Sequence, residues 1–327
     1  MPSRRLQETS LRYFLEVART GSLTEAAVRL SVSISAVSRQ VAALEALMGV
    51  PLFERRPRGM VPSAAGELLA AHALRGALEA ERVLSDIQAL QGPLSGRVRI
   101  ACSSGFANEF LPRTIAAFRV QYPGVRFRLD ATGPTQVSDA VLLGEADIGL
   151  TYSRAAVRGI RVEHRQPASV FVIMRPDHAL AKSRSVTLAQ MLPFPIALSS
   201  PENTVRQLFD VGCSNRGIVF EPVLVSNRFE AIAHFVLQDG GLGITGEITV
   251  RDRLQRGDLV AAEIREPGMR GRSVELQTLA DRTLPEVVRT FLAYLREQLP
   301  APGARVAAKK MRGAQAPRPL TSPRTAA

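Results

Sequence analysis

Apolar residues in the first sixty positions recur at helical spacing, in short blocks separated by polar turns. Ala26, Ala27 and Leu30 fit one short helix opened by Gly21-Ser22. Ser22 can cap the amide of Glu25, and Glu25 can reach back to it, as in a capping box. Ser31-Val32-Ser33 is the next turn. Ser33 can cap a second helix that runs to about Met48 and is stopped by Gly49 and Pro51. Residues 51–62 read as two short extended pieces around Pro57-Arg58-Gly59, and residues 63–90 as one long Ala/Leu-rich helix. Gln91-Gly92-Pro93-Leu94-Ser95-Gly96 is a breaker cluster and an expected hinge. From Arg97 to about Leu299 strands alternate with helices: Val98/Ile100, Val125/Phe127/Leu129, Ser169–Met174, Pro195–Leu198 and Phe220–Val225 carry strand patterns. An α/β fold with a mainly parallel sheet is expected there. The chain beyond Pro300 is Ala/Pro/Arg-rich without apolar periodicity, and disorder is expected of it. No internal repeat interrupts this layout.

The first helix pair has the proportions of a helix-turn-helix. Small Ala26 and Ala27 allow close approach, and Leu30 and Val32 plug the corner. At about 100° per residue Val37, Val41, Leu44 and Met48 share the inner face of the second helix. Ser35, Ser38, Arg39 and Ala42 lie on the opposite strip, at a helix N-terminus begun by Ser33. Little bulk with one forked donor suits a recognition helix in a major groove. Ile34 falls about 60° from Val37, near the core stripe, which leaves it only a thymine methyl to touch. Arg55, Arg56 and Arg58 on the following turn suit a wing along the DNA backbone or minor groove.

Charge placement agrees with a polyanionic partner. The chain of 327 residues has a net charge of +12. Residues 1–66 hold nine arginines against five glutamates, and residues 300–327 hold six basic residues and no acid. The composition, 46% hydrophobic and 22% charged, is that of a globular protein with room for two or three folding units. No apolar run approaches a membrane span, and the basic start lacks the apolar stretch of a secretory signal. Two distant cysteines without C-x-x-C suit a reducing compartment, so a cytoplasmic location is expected.

In the C-terminal part, small polar residues collect where strands should end and helices begin. They are Ser103 and Ser104, then Thr132, Gly133 and Thr135, then Ser199, Ser200 and Asn227, with Thr245 in a later strand. Strand ends feeding helix N-termini form the crevice of an open α/β sheet, and exposed amides and hydroxyls there can hold a carboxylate. As a set they suit a ligand cleft, which would take a small anionic metabolite and no cofactor. Taken singly, each of these residues reads more readily as an ordinary helix cap.

Three other readings compete. Gly241-Leu242-Gly243-Ile244-Thr245-Gly246 matches G-x-G-x-x-G, but it follows a helical stretch and Leu242–Thr245 resembles a buried strand, which argues against a dinucleotide enzyme. His72, His164, His178 and His234 lack metal-ligand spacing. A thiol sensor that pairs Cys102 with Cys213 would join distant segments. A nucleoid-type binder without a ligand leaves the two hundred residues after the hinge without a purpose.

The run Phe14-Leu15-Glu16-Val17-Ala18 through Gly21-Ser22-Leu23-Thr24-Glu25-Ala26-Ala27 resembles the opening of LysR-type transcriptional regulators. Ala36-Val37-Ser38-Arg39-Gln40-Val41, Gly49-Val50-Pro51-Leu52-Phe53-Glu54-Arg55 and Ser63-Ala64-Ala65-Gly66 continue the likeness in register. Ile34-Ser35 stands where that family often has Gln-Pro, and Ser63 replaces the usual Thr of the post-wing cap. The resemblance implies a winged helix-turn-helix over 1–66 that binds double-stranded DNA, then a linker helix over 67–90 that dimerises antiparallel, with a dimer of dimers as the expected assembly. It further implies a hinge at 91–96 and a two-lobed, periplasmic-binding-protein-like effector domain over 97–299. Lobe one is expected at about 97–163 and 270–299, lobe two at about 164–269, and a basic tail at 300–327.

Overall fold

The computed structural model describes residues 8–299 except 58, 91, 154, 267, 268, 270 and 271, with the side chain of Arg55 also left out. The expected hinge residue Gln91, wing residue Arg58 and the tail from Pro300 lie outside the described residues.

Three helices, α1 (Thr9–Thr20), α2 (Leu23–Leu30) and α3 (Ile34–Met48), open the chain. Ser22 Oγ accepts from the Glu25 amide at 3.3 Å and Ser33 Oγ from the Ala36 amide at 3.2 Å. The reciprocal arm of the expected capping box is not made. Glu25 instead binds Arg29 one turn on at 2.7 Å, and the Ser22 amide donates to Thr20 Oγ1 at 3.3 Å. A charge-assisted bond at i,i+4 outcompetes the neutral one. Ala26 and Ala27 are buried where the helices cross, beneath Phe14, Val17, Val37, Val41 and Leu44. Met48, expected on that inner face, is exposed, because α3 ends there and Gly49 turns the chain away.

The wing is a two-stranded ribbon, β1 (Phe53–Arg56) against β2 (Gly59–Pro62), with Arg56 opposite Gly59. It is pinned at both ends. The Met60 amide donates to Gly21 O at 2.8 Å, and Glu45 Oε1 of α3 accepts from the Leu52 amide at 2.8 Å. Gly59 has φ +125°, and a Cβ there would overlap the Gly21 carbonyl. The 26-residue helix α4 (Ala64–Ala89) follows, capped by Ser63 Oγ on the Gly66 amide at 3.1 Å. At 1.5 Å per residue it spans about 39 Å. It begins three residues before the expected linker, because Ser63 caps it directly after the wing.

The remainder forms two sheets with separate cores. The first, in the order β4-β3-β5-β13-β6, contains β3 (Gly96–Ser103), β4 (Val125–Thr132), β5 (Ile148–Ser153), β6 (Ile160–Pro167) and β13 (Ser273–Leu279). The helices α5 (Ser104–Ala107), α6 (Phe110–Gln121), α7 (Pro134–Leu142) and α12 (Glu286–Gln298) go with it. The second, in the order β10-β9-β11-β7-β12-β8, contains β7 (Val170–Met174), β8 (Ser185–Val186), β9 (Ile196–Ser199), β10 (Leu224–Ser226), β11 (Leu242–Gly246) and β12 (Val260–Ile264). Its helices are α8 (Leu188–Met191), α9 (Thr204–Asn215) and α10 (Phe229–Leu237), while α11 (Glu247–Arg256) returns Ile248 to the core of the first lobe.

Both sheets are mixed, against the expectation of mainly parallel pairing. β13 runs antiparallel to β5 and β6, and β7 runs antiparallel to β11 and β12. These are the first strands after each of the two crossings between lobes. A strand that enters from the crossing starts where its neighbours end, so it must run against them. β6 pairs with β13 along its length, which moves the first crossing from the expected residue 163 to Ala168–Ser169. The expected strand at Phe220–Val225 is reduced to Leu224–Ser226, and the Phe220 ring packs on Phe209 at 5.2 Å instead. Of the expected hinge, Leu94 packs on the core of the first lobe and Gly96 is already strand, while Gly92 and Pro93 are exposed. Among the described residues no helix is long and apolar enough to cross a membrane.

Candidate DNA-recognition surface and interlobe cleft

The helix-turn-helix presents its outer strip to solvent. Ser33, Ser35, Arg39 and Ala42 are exposed or half-buried, with Ser38 half-buried beside them. Ser33 Oγ and Ser35 Oγ share a hydrogen bond of 3.0 Å. Among the described residues Arg39 has no hydrogen-bond or ion-pair partner, so its fork is free. Ile34 departs from expectation. As the first residue of α3 it precedes the turn that closes on the core, and it is 48% exposed. On the wing Arg56 Nη2 binds Glu54 Oε2 at 2.8 Å, with both side chains largely in water, so the pair adds little stability and can open toward phosphate.

At the other end of the molecule the two lobes enclose a cavity of about 500 Å³. Of the residues singled out in sequence, Ser103, Ser104, Thr132 and Gly133 line it from the first lobe. Ser199, Ser200, Asn227 and Thr245 line it from the second. Thr135 does not: it is the second residue of α7 and lies beside the cavity wall, while Gly133 and Pro134 face the cavity. Ser103 is buried and bonded to Thr151 Oγ1 at 2.9 Å, whereas Ser104 is open. Helices α7, α9 and α10 start in this wall, where their free amides and dipoles favour an anion, beside Arg228 and the two acids Glu202 and Glu230.

Behind the wall stands a residue the sequence did not single out. The Arg272 side chain, at the entry to β13, belongs to a residue only 2% exposed. Its guanidinium lies 4.0 Å over the Tyr152 ring and donates to Thr204 Oγ1 at 3.3 Å and Ser169 O at 3.5 Å. Among the described residues it has no carboxylate partner, and its Nε has no acceptor. Burial pushes the guanidinium below its ordinary pKa, partly offset by Tyr152. Tyr152 and Thr204 line the cavity in front of it. Nothing local marked Arg272 among the many arginines, since its neighbours come from both lobes. Thr204 was more legible, as the residue after the helix cap Asn203, whose Oδ1 accepts from the Val205 amide at 2.9 Å. Across the cavity wall Asn108 Nδ2 donates to Glu230 Oε1 at 3.1 Å.

Comparison with known proteins decides the family. Residues 9–67 match the family described as bacterial regulatory helix-turn-helix protein, lysR family, and residues 91–300 match the LysR substrate binding domain. The chain is a LysR-family transcription regulator. It is similar to the uncharacterized HTH-type transcriptional regulator YeiE of Escherichia coli, with 31% identity over 87% of this chain and 95% of that one. It is also 31% identical to the RuBisCO operon transcriptional regulator of Allochromatium vinosum, over 78% of this chain and 84% of the other. Among solved structures, a full-length OxyR variant from Pseudomonas aeruginosa superposes with a TM-score of 0.66 at 19% identity, covering 88% of this chain and 94% of that one. That likeness is one of fold.

As a LysR-type regulator the chain binds DNA through its N-terminal domain and an effector through its C-terminal domain, and it is not an enzyme. Members of the family work as oligomers. The Gly241–Gly246 run is not a phosphate loop here: Leu242–Gly246 is strand β11, buried throughout. The thiol-sensor reading fails on geometry and chemistry. Cys102 belongs to the core of the first lobe and Cys213 to that of the second. Burial pushes their thiols up to about 12 and about 11, far from a reactive thiolate.

Proposed function

We propose that this regulator reads its operator with Ser33, Ile34, Ser35, Ser38 and Arg39 in the major groove, steadied by Arg55, Arg56 and Arg58 of the wing. The free fork of Arg39 and the small side chains around it support base reading; the wing arginines suit phosphates. The effector is a small anionic metabolite held between the lobes by Ser104, Thr132, Ser199, Ser200, Asn227 and Thr245. One observation carries the sign of its charge: the cavity is backed by Arg272, a desolvated cation with no acidic partner among the described residues. An anion in front of it supplies the missing charge where the dielectric is low.

A ligand can change DNA binding only by favouring one arrangement of the molecule over another. Helix α7 offers the physical connection. It starts at Gly133 in the cavity wall and ends at Leu143, whose carbonyl accepts from Arg19 Nη2 of α1 at 2.9 Å. The adjoining Gly144 packs against Leu74 and Leu78 of α4. Dimerisation through α4 accounts for its solvent-facing Leu68 and Ile87, 77% and 48% exposed. A dimer of dimers in the cytoplasm completes the reading. The test is a thermal-shift screen of small carboxylates and phosphates on the full chain, followed by calorimetry and footprinting of Ser103→Ala/Ser104→Ala. Weakened effector binding with unchanged effector-free DNA binding supports the cleft, and unchanged effector affinity places the ligand elsewhere.

A further inference from the structure

A second cavity of about 510 Å³ lies on the first lobe, remote from the cleft, between the edge strand β6, the loop before α12 and the outer face of α12. Arg161, Arg282, Arg289 and Arg296 line it, against the two acids Glu163 and Asp281. Glu163 is engaged by Thr278 Oγ1 at 2.7 Å. Among the described residues Arg161, Arg289 and Arg296 have no ion-pair partner. Arg289, Leu292, Ala293 and Arg296 form one stripe of α12 at i, i+3, i+4 and i+7, so an apolar floor separates two cations.

Arg282 lines the cavity while its side chain is held inside the lobe. Its side chain is 4% exposed, and its Nη2 donates to Asp147 Oδ1 at 2.8 Å. Asp147 also receives Arg99, from Nη2 at 2.7 Å and from Nε at 3.2 Å. Asp147 therefore serves two guanidinium groups, of which Arg99 also pairs with Glu81 at 3.1 Å. Arg282 Nε and Nη1 are buried without any acceptor. Arginine forks match phosphate oxygens, and several of them together favour a dianion over a single carboxylate.

We propose that this cavity is a second anion site of the regulator, built for a phosphate monoester whose phosphate meets the guanidinium groups and whose organic part lies over Leu284, Leu292 and Ala293. The proposal does not rest on the reading of the interlobe cleft. It is tested by calorimetry on the full chain at fixed ionic strength, with glycerol 3-phosphate as probe and inorganic phosphate and glycerol as its two halves. Glycerol 3-phosphate should bind at millimolar concentration or below, more tightly than inorganic phosphate, and glycerol should not bind. Arg289→Ser/Arg296→Ser, on the outer face of α12 and away from the core, should weaken binding at least about tenfold. Arg161→Gln, on a different element, should weaken it too, whereas Ser103→Ala/Ser104→Ala should not. Absence of binding, unchanged affinity in the α12 variant, or loss confined to the cleft variant would each overturn the site. So would an α12 variant that alters oligomeric state while leaving phosphate affinity intact, which would make the arginines a subunit contact.

Discussion

Replacing Arg272 by methionine should stabilise the protein in the absence of effector and abolish its response to effector. The guanidinium is removed from water with no carboxylate to meet it among the described residues. The effective penalty for such an ion is several kcal/mol. Against it stands a cation–π contact at 4.0 Å, worth about 2 kcal/mol when desolvated. Two hydrogen bonds at 3.3 and 3.5 Å add less than the roughly 1.5–3 kcal/mol of a well-formed charged bond each. These contributions nearly cancel, with a residual penalty of about 1 kcal/mol on the charged side chain. Methionine fills similar volume, keeps a favourable contact with the Tyr152 ring and needs no partner.

A gain of about 1 kcal/mol corresponds to a rise in melting temperature of about 2–4 °C for a domain of this size. Scanning calorimetry of the wild type and Arg272→Met, with and without an effector found by screening, measures both halves. The wild type should gain stability with ligand and the variant should not, although the variant starts higher. A site that gives up stability in order to hold an anion behaves this way. A fall in melting temperature in the absence of ligand would refute the reasoning. It would mean that the bonds to Thr204 and Ser169 brace the lobes and that the charge is incidental.

Arg39→Ala should weaken operator binding by about 1–3 kcal/mol in fluorescence anisotropy and relax sequence preference; an equal loss on random DNA would make Arg39 a phosphate ligand. Neutralising Arg55, Arg56 and Arg58 should instead weaken all sequences alike and flatten the salt dependence of log K by about 0.9 for each phosphate no longer neutralised. Burial alone would raise the Asp147 carboxyl, but the Arg99 hydrogen bonds, with Arg99 and Arg282 charge, hold it below its ordinary 3.8. Its stabilisation is therefore complete above pH ~4 and is lost as the pH falls through the depressed native value. Asp147→Asn should cost about 3–5 kcal/mol at neutral pH in urea melts, with the gap to wild type closing in acid. Cys102 and Cys213 should resist maleimide in the native protein and react after unfolding; native labelling by mass spectrometry would show that the lobes open more than the structure indicates.

What was legible in the sequence is what the chain decides locally. Ser22, Ser33 and Ser63 cap helices because each precedes an apolar periodic run, and Gly21 and Gly49 end helices because they accept a left-handed backbone. The polar strand ends other than Thr135 line one cavity, since an α/β sheet brings its carboxyl ends to one edge. What was not legible depends on partners far along the chain. Glu25 could not be known to prefer Arg29 over its own cap, nor β7 and β13 to run against their sheets, before the crossings were placed. Met48 fitted the helical phase, yet phase says nothing about where the covering elements stop.

The same distinction separates the arginines by function. An exposed guanidinium such as Arg39 loses nothing by waiting unpaired, since water solvates it, and it can give up that water to a base or a phosphate. A buried one such as Arg272 has given up most of its water, and on our proposal an anion in the cleft supplies the charge it lacks. The net charge of +12 counts both kinds alike and is dominated by the chain ends. It therefore points toward nucleic acid and is silent about small ligands. On our proposals, the positions that bind an anion are those where folding removes a cation from most of its solvent. Those positions are created by contacts 68 and 135 residues apart in sequence, Arg272 with Thr204 and Arg282 with Asp147. On these proposals ligand specificity depends on tertiary structure, while the DNA-reading residues lie in one contiguous segment.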